Sequence, residues 1–184
     1  MPIPPFDGIL NVLPPHLGDP RYPEQISPYQ CTYLEVCTQF GTSPKRKEIL
    51  RGLLELRLEL LGLGIQGYQW LGGSFVEDIE SHENRGPNDV DVVTLIANPP
   101  RDELARLVAS RQDLFLNHLT KPRYFVDHFY MSFETPGRLL VNTAKYWYAL
   151  FSHRRDDLWK GMLHVNLVNP VDDNDAKDFL GATP

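Results

Sequence analysis

The sequence predicts an α+β fold. Three observations predict it: a long apolar stripe at helical spacing over residues 45–61, short strand-like apolar stretches at 65–71, 90–96 and 124–133, and helix-patterned segments between them. A chain of 184 residues that is 42% hydrophobic and 23% charged suits one domain with a sizeable core.

Eight of the 16 prolines fall in the first 28 residues, so residues 1–27 read as an extended Pro-rich arm packed on the domain. Phe6, Ile9, Leu10, Val12 and Leu13 supply its apolar contacts. The domain spans residues 28–171, and residues 172–184 form an acidic tail that is frayed over 172–178. Ser27-Pro28-Tyr29-Gln30 carries a helix-start signal: serine as cap, proline at the first helical position, glutamine three residues after the cap. Tyr29, Tyr33, Val36, Cys37 and Phe40 continue at helical spacing until Gly41. Ser43-Pro44 repeats the signal before the long helix over 45–61. There Ile49, Leu50, Leu53, Leu54, Leu56, Leu60 and Leu61 form a broad apolar face, and Gly62 and Gly64 end it.

Residues 65–71 read as a strand with Tyr68 and Trp70 on one face, followed by the turn Gly72-Gly73-Ser74. Residues 76–88 are a polar loop or a short helix with a turn at Gly86-Pro87. The second strand covers 90–96, and an amphipathic helix covers 99–114 with Leu104, Leu107 and Val108 inward. The third strand covers 124–133 and is broken at Pro136-Gly137. Residues 139–152 form an aromatic-rich helix, His153-Arg154-Arg155 a basic turn, and 161–168 a candidate last strand.

A net charge of −6 argues against a protein that coats duplex DNA, without excluding a small basic pocket for one nucleotide. Cys31 and Cys37 read as small buried hydrophobes of a reduced protein. No apolar run approaches the roughly 20 residues that cross a bilayer, so no membrane is expected. The start Met1-Pro2-Ile3-Pro4-Pro5 lacks signal-peptide features, which makes the cytoplasm the expected location.

The chemistry centres on Gly72-Gly73-Ser74 and Asp89-Val90-Asp91. The turn offers backbone N–H groups and a hydroxyl to phosphate oxygens. The aspartates stand at i and i+2, so on a strand they share one face and can share metal ions, while Val90 and Val92 are buried on the other. Nucleotidyl transfer uses two divalent cations and a third carboxylate near the attacking oxygen. Asp127 is the choice for that third group, because a charge within Tyr124-Phe125-Val126-Asp127-His128-Phe129-Tyr130 is costly unless it meets a cation. Arg123 or His128 is an equally valid structural partner for it, and Glu134 is the runner-up carboxylate. Alone, Gly-Gly-Ser is usually a turn, and Asp-x-Asp is common on solvated edge strands. Their order together carries the signal.

These residues resemble the polymerase-β-like nucleotidyltransferase superfamily: Leu71, Gly72, Gly73 and Ser74, a spacer slightly longer than usual, Asp89 and Asp91, then Asp127. Pro4-Pro5-Phe6-Asp7-Gly8 and the Arg154-Arg155…Lys160-Gly161 segment look similar to a group of small bacterial proteins within it, which often accompany toxin–antitoxin pairs, mobile elements or phage defence. The resemblance implies a polymerase-β-like nucleotidyltransferase core, a small mixed sheet with helices packed on one face, and two Mg2+ ions, with Mn2+ as a substitute. Gly72, Gly73 and Ser74 would hold the β- and γ-phosphates of a nucleoside triphosphate, ATP first. Asp89 and Asp91 would bind both metals. Asp127 would ligate the catalytic metal and orient or deprotonate the acceptor hydroxyl. Arg154, Arg155 and Lys160 would contact phosphate or the acceptor, a solvated basic turn being the plainer alternative. Trp147 and Tyr148 offer rings to a base, although such stripes are more often core. The short stretch after Asp127 leaves no room for a large helical domain, so the implied acceptor is a small molecule or a partner protein encoded nearby. The alternative is a catalytically idle binding module, an antitoxin or a nucleotide-sensing subunit.

Overall fold

In the computed structural model, which describes residues 3–168 and 171–181, one mixed sheet organises the chain. Its strands are β1 (Tyr29–Cys31), β2 (Gln66–Gly72), β3 (Val90–Asn98), β4 (Val126–Ser132) and β5 (Leu163–Leu167), in the order β1-β5-β2-β3-β4. β2 runs antiparallel to both β3 and β5. β3 and β4 are parallel, as are β1 and β5. A parallel pair needs a crossover, and α4 (Arg101–Ser110), α5 (Gln112–Phe115) and α6 (Asn117–Tyr124) provide it between β3 and β4. The remaining helices are α1 (Tyr33–Phe40), α2 (Pro44–Gly62), α3 (Ile79–Glu83), α7 (Gly137–Phe151) and α8 (Val171–Gly181). The α+β class and the mixed sheet agree with the sequence reading.

The helices do not share one face. Val90, Val92 and Ile96 of β3 join the larger core with Tyr33, Leu53, Leu60 and Phe75. Val93 and Leu95 point the other way, into a second cluster with Met131, Trp147 and Phe151, so α7 covers the opposite side of the sheet. The reason is visible in β3 itself: successive apolar residues on both faces require cover on both.

Four element boundaries differ from the sequence reading. Residues 29–31 form a strand, because Tyr29 and Cys31 turn inward and pair with Leu163 and Val165. The helix starts only after Thr32, whose side chain accepts from Glu35 N (3.1 Å) while the Glu35 carboxylate accepts from Thr32 N (2.7 Å). The single helix expected over 99–114 breaks at Arg111, which leaves helical geometry (φ −125°, ψ 51°). Tyr124 ends α6 instead of starting a strand; Phe125 then takes a left-handed conformation (φ 57°), and β4 begins at Val126. Gly52 of α2 permits this, since a Cβ there would collide with the Tyr124 carbonyl.

The acidic stretch expected to fray is part of α8. Ala176 and Leu180, one turn apart, are buried in the main core, and the acidic composition had masked that stripe. Residues 182–184 of the expected tail, and Met1 and Pro2 of the arm, lie outside the described residues. In the arm, Val12 and Leu13 are fully buried and Phe6 meets Phe40 edge-on at 5.6 Å. Ile9 and Leu10 instead stay exposed, because the Asp7 carboxylate accepts both their N–H groups and turns the loop tip outward. Cys31 and Cys37 are buried free thiols, each pushed up to about 12 by desolvation. No helix among the described residues is long and apolar enough to cross a membrane.

A polar ladder crosses the main core. The buried Arg57 guanidinium donates to Asp173 (2.8 Å) and to Gln69 Oε1 (2.8 Å). Gln69 Nε2 donates to the Thr94 hydroxyl (3.0 Å), which meets His128 Nε2 at 2.7 Å. His128 Nδ1 lies 2.7 Å from the Leu114 carbonyl, which only accepts, so Nδ1 carries the proton and Nε2 accepts from Thr94. Burial pushes the His128 pKa down to about 4.

Candidate active site

The site forms where β2 ends and β3 and β4 begin. Register does the placing: Gly72 lies opposite Asp91, and Asp91 lies opposite Asp127. Adjacent strands are about 5 Å apart, so the glycine turn and two carboxylates become neighbours. Asp89 immediately precedes β3 and shares the i, i+2 face with Asp91. Val90 and Val92 are fully buried on the reverse side, as read from the sequence.

The turn is built for close approach. Gly73 has φ +72°, and a Cβ on it would strike the Asp91 carboxylate. Gly72 is pressed by the Phe151 ring of α7, 2.7 Å from where its Cβ would stand. The chain then makes a 3-10 turn over Gly73–Val76, with Ser74 half-buried at the start. Beneath it, the buried Lys160 ammonium donates to the Gly73 carbonyl (2.8 Å) and forms an ion pair with Glu77. Desolvation pushes the Lys160 pKa down, and the Glu77 carboxylate opposes that shift. Lys160 thus braces the turn from below.

The three aspartates differ in surroundings. Burial, then the Asp89 and Asp127 charges, raise the Asp91 pKa to about 6. Asp127 Oδ1 is buried with no hydrogen-bond partner. Asp127 Oδ2 lies 3.4 Å from Lys121 Nζ, and the same ammonium lies 2.7 Å from Asp89 Oδ2. The Asp89 hydrogen bond raises the Lys121 pKa. Neither structural partner foreseen for Asp127 takes that role: Arg123 pairs with Glu55 and Asp113, and His128 points into the polar ladder. The missed residue is Lys121. It stands six positions before Asp127 and on another element, so no short-range spacing could point to it.

The other sequence candidates separate. Arg154 is held by Asp156 (2.6 and 2.8 Å) and reaches the Leu10 carbonyl (3.5 Å). Arg155 is exposed beside it. Glu134 sits past the far end of β4, where its carboxylate accepts from Arg101 N (2.5 Å) at the start of α4. Trp147 is core, tilted on Phe129 at 4.6 Å, and the Tyr148 hydroxyl donates to Ser27 O (3.3 Å).

Among the described residues no three Asp, Glu, His or Cys side chains form a ready-made metal cluster; Lys121 stands between Asp89 and Asp127. The donor chemistry nevertheless fits a hard divalent cation. All three side chains offer oxygen, one oxygen is buried and unpartnered, and burial with the Asp89 and Asp127 charges outweighs what Lys121 and Lys160 offset at Asp91.

The chain belongs to a family of unknown function, DUF6932, which matches residues 4–166 and so contains the turn, the three aspartates, Lys121 and Lys160. No curated protein and no solved structure matches it at a significant level.

Proposed function

We propose that the protein is a magnesium-dependent nucleotidyltransferase, moving a nucleoside monophosphate from a triphosphate such as ATP to a hydroxyl on a small acceptor or a partner protein. The observation that carries this reading is the register of Gly72, Asp91 and Asp127 across three adjacent strand ends, with Asp127 Oδ1 buried and unpartnered. Asp89, Asp91 and Asp127 would hold the Mg2+ ions, which when bound neutralise the triphosphate and lower the pKa of an attacking hydroxyl. Gly73 and Ser74 present N–H and hydroxyl donors to the donor's phosphate oxygens. Lys160 fixes the turn through the Gly73 carbonyl, so those donors are set before the nucleotide arrives. Asp127 would orient the acceptor hydroxyl or accept its proton once the cation draws Lys121 away from it. A cytoplasmic toxin–antitoxin or phage-defence setting goes with this reading, on resemblance alone.

One observation favours a second reading, an idle nucleotide-sensing or antitoxin-type module: the Lys121 ammonium already bridges Asp89 and Asp127. Magnesium-dependent release of pyrophosphate from each nucleoside triphosphate, compared with the Asp89→Ala, Asp91→Ala double variant, separates the two. The transferase reading expects release only from the unmodified protein. Nucleotide-induced thermal stabilisation that needs no metal and survives the double substitution would favour the module.

A further inference from the structure

We propose, resting on the nucleotidyltransferase reading, that Lys121 is a displaceable internal counter-ion: its ammonium neutralises Asp89 and Asp127 until a divalent cation arrives, and cation binding expels it. The Lys121 Nζ lies 2.7 Å from Asp89 Oδ2 and 3.4 Å from Asp127 Oδ2. A magnesium ion bound directly to those oxygens would sit about 2.1 Å from each, so ammonium and ion contend for one space. The doubly charged ion roughly doubles the Coulomb attraction to the same carboxylates.

The lysine is built to leave. Its side chain is 50% exposed, against 15% and 20% for Asp89 and Asp127. Its carbonyl accepts from Phe125 N (3.0 Å) at the end of α6, which fixes the backbone while the four-carbon stem can swing its charge into water. Lys160 differs on each point: it is buried and tied to the Gly73 carbonyl and to Glu77. One lysine is a brace and the other a gate. The gate offsets part of the repulsion among the clustered carboxylates without metal, and it lowers metal affinity in return.

The test uses the full chain and MgCl2 in two measurements. Amine acylation read by mass spectrometry should show Lys121 labelling at least about threefold faster at saturating Mg2+, with Lys160 unchanged. Calorimetry should show Lys121→Met binding Mg2+ about three- to tenfold more tightly than the unmodified protein, the scale of one partly exposed charge pair. Binding that is abolished by Asp89→Asn with Asp91→Asn, yet leaves Lys121 labelling and the Lys121→Met affinity unchanged, overturns the gate and leaves the metal site standing. No Mg2+ binding by either the unmodified protein or Lys121→Met overturns both.

Discussion

Two groups of polar side chains lie on opposite faces of β3 and its neighbours, and they are treated in opposite ways. On one face the ladder Asp173–Arg57–Gln69–Thr94–His128 is closed: each named hydrogen bond leads to the next, and the ends rest on a carboxylate and a carbonyl. On the other face the aspartate cluster is open: Asp127 Oδ1 lacks a partner and Asp91 is pushed up to about 6. A fully satisfied buried network specifies a core. Like charges held together, with one oxygen unserved, cost stability, and groups perturbed in this way cluster at functional sites. Burial and charge alone would not separate these faces; hydrogen-bond closure does.

The largest contrast comes from neutralising one aspartate in each group. Asp173→Ala strands the Arg57 guanidinium in the core and should cost about 3–5 kcal/mol, lowering the melting temperature by roughly 10 °C. Asp91→Asn should instead leave the metal-free protein as stable or more so at neutral pH, while removing Mg2+-dependent stabilisation. Thermal melts with and without Mg2+ measure both. If Asp91→Asn destabilises as much as Asp173→Ala, the aspartate cluster is structural.

Gly73→Ala sharpens the site's geometry. The left-handed φ and the clash with Asp91 should together cost about 2 kcal/mol, and Mg2+ binding should weaken with it. A variant with unchanged stability and metal affinity would mean that the turn is not pressed on Asp91.

The two faces should also titrate in opposite directions. Asp91 is raised in the fold above its ordinary value near 4, so the native state holds its proton between about pH 4 and 6, and lowering the pH through that window stabilises. Without metal, Asp91→Asn should therefore lead the unmodified protein by about 3 kcal/mol at pH 7.5, a lead that vanishes as the pH falls to about 4. His128 is depressed to about 4 from its ordinary value near 6.5, so its contribution is full above 6.5 and is lost as the pH falls through 4. Denaturant melts across pH 4–8 on the unmodified protein and Asp91→Asn separate the two; a lead that does not change with pH contradicts the Asp91 assignment. The smallest effect is expected at exposed Arg155, where alanine should change stability by less than about 0.5 kcal/mol.

The core of the site was legible in the sequence because its signals are local. Gly-Gly-Ser after an apolar strand and Asp-x-Asp at strand period fix faces and neighbours without knowledge of the rest. What stayed hidden depends on distant contacts. β1 is a strand because β5 is there to pair with it, and Thr32 outcompetes Ser27 as the cap. α8 hides a two-residue apolar stripe in an acidic segment, anchored by an arginine far earlier in the chain. α7 covers a second face because the central strands are apolar on both sides. Lys121 lies on α6, separated from the Asp127 strand by the left-handed turn at Phe125.

The most direct test of the central claim is calorimetric titration of MgATP into the full chain and into Asp91→Asn. Nucleotide binding should require Mg2+ and be lost in the variant. Binding that proceeds equally in both proteins, or heat that ignores Mg2+, would contradict the claim.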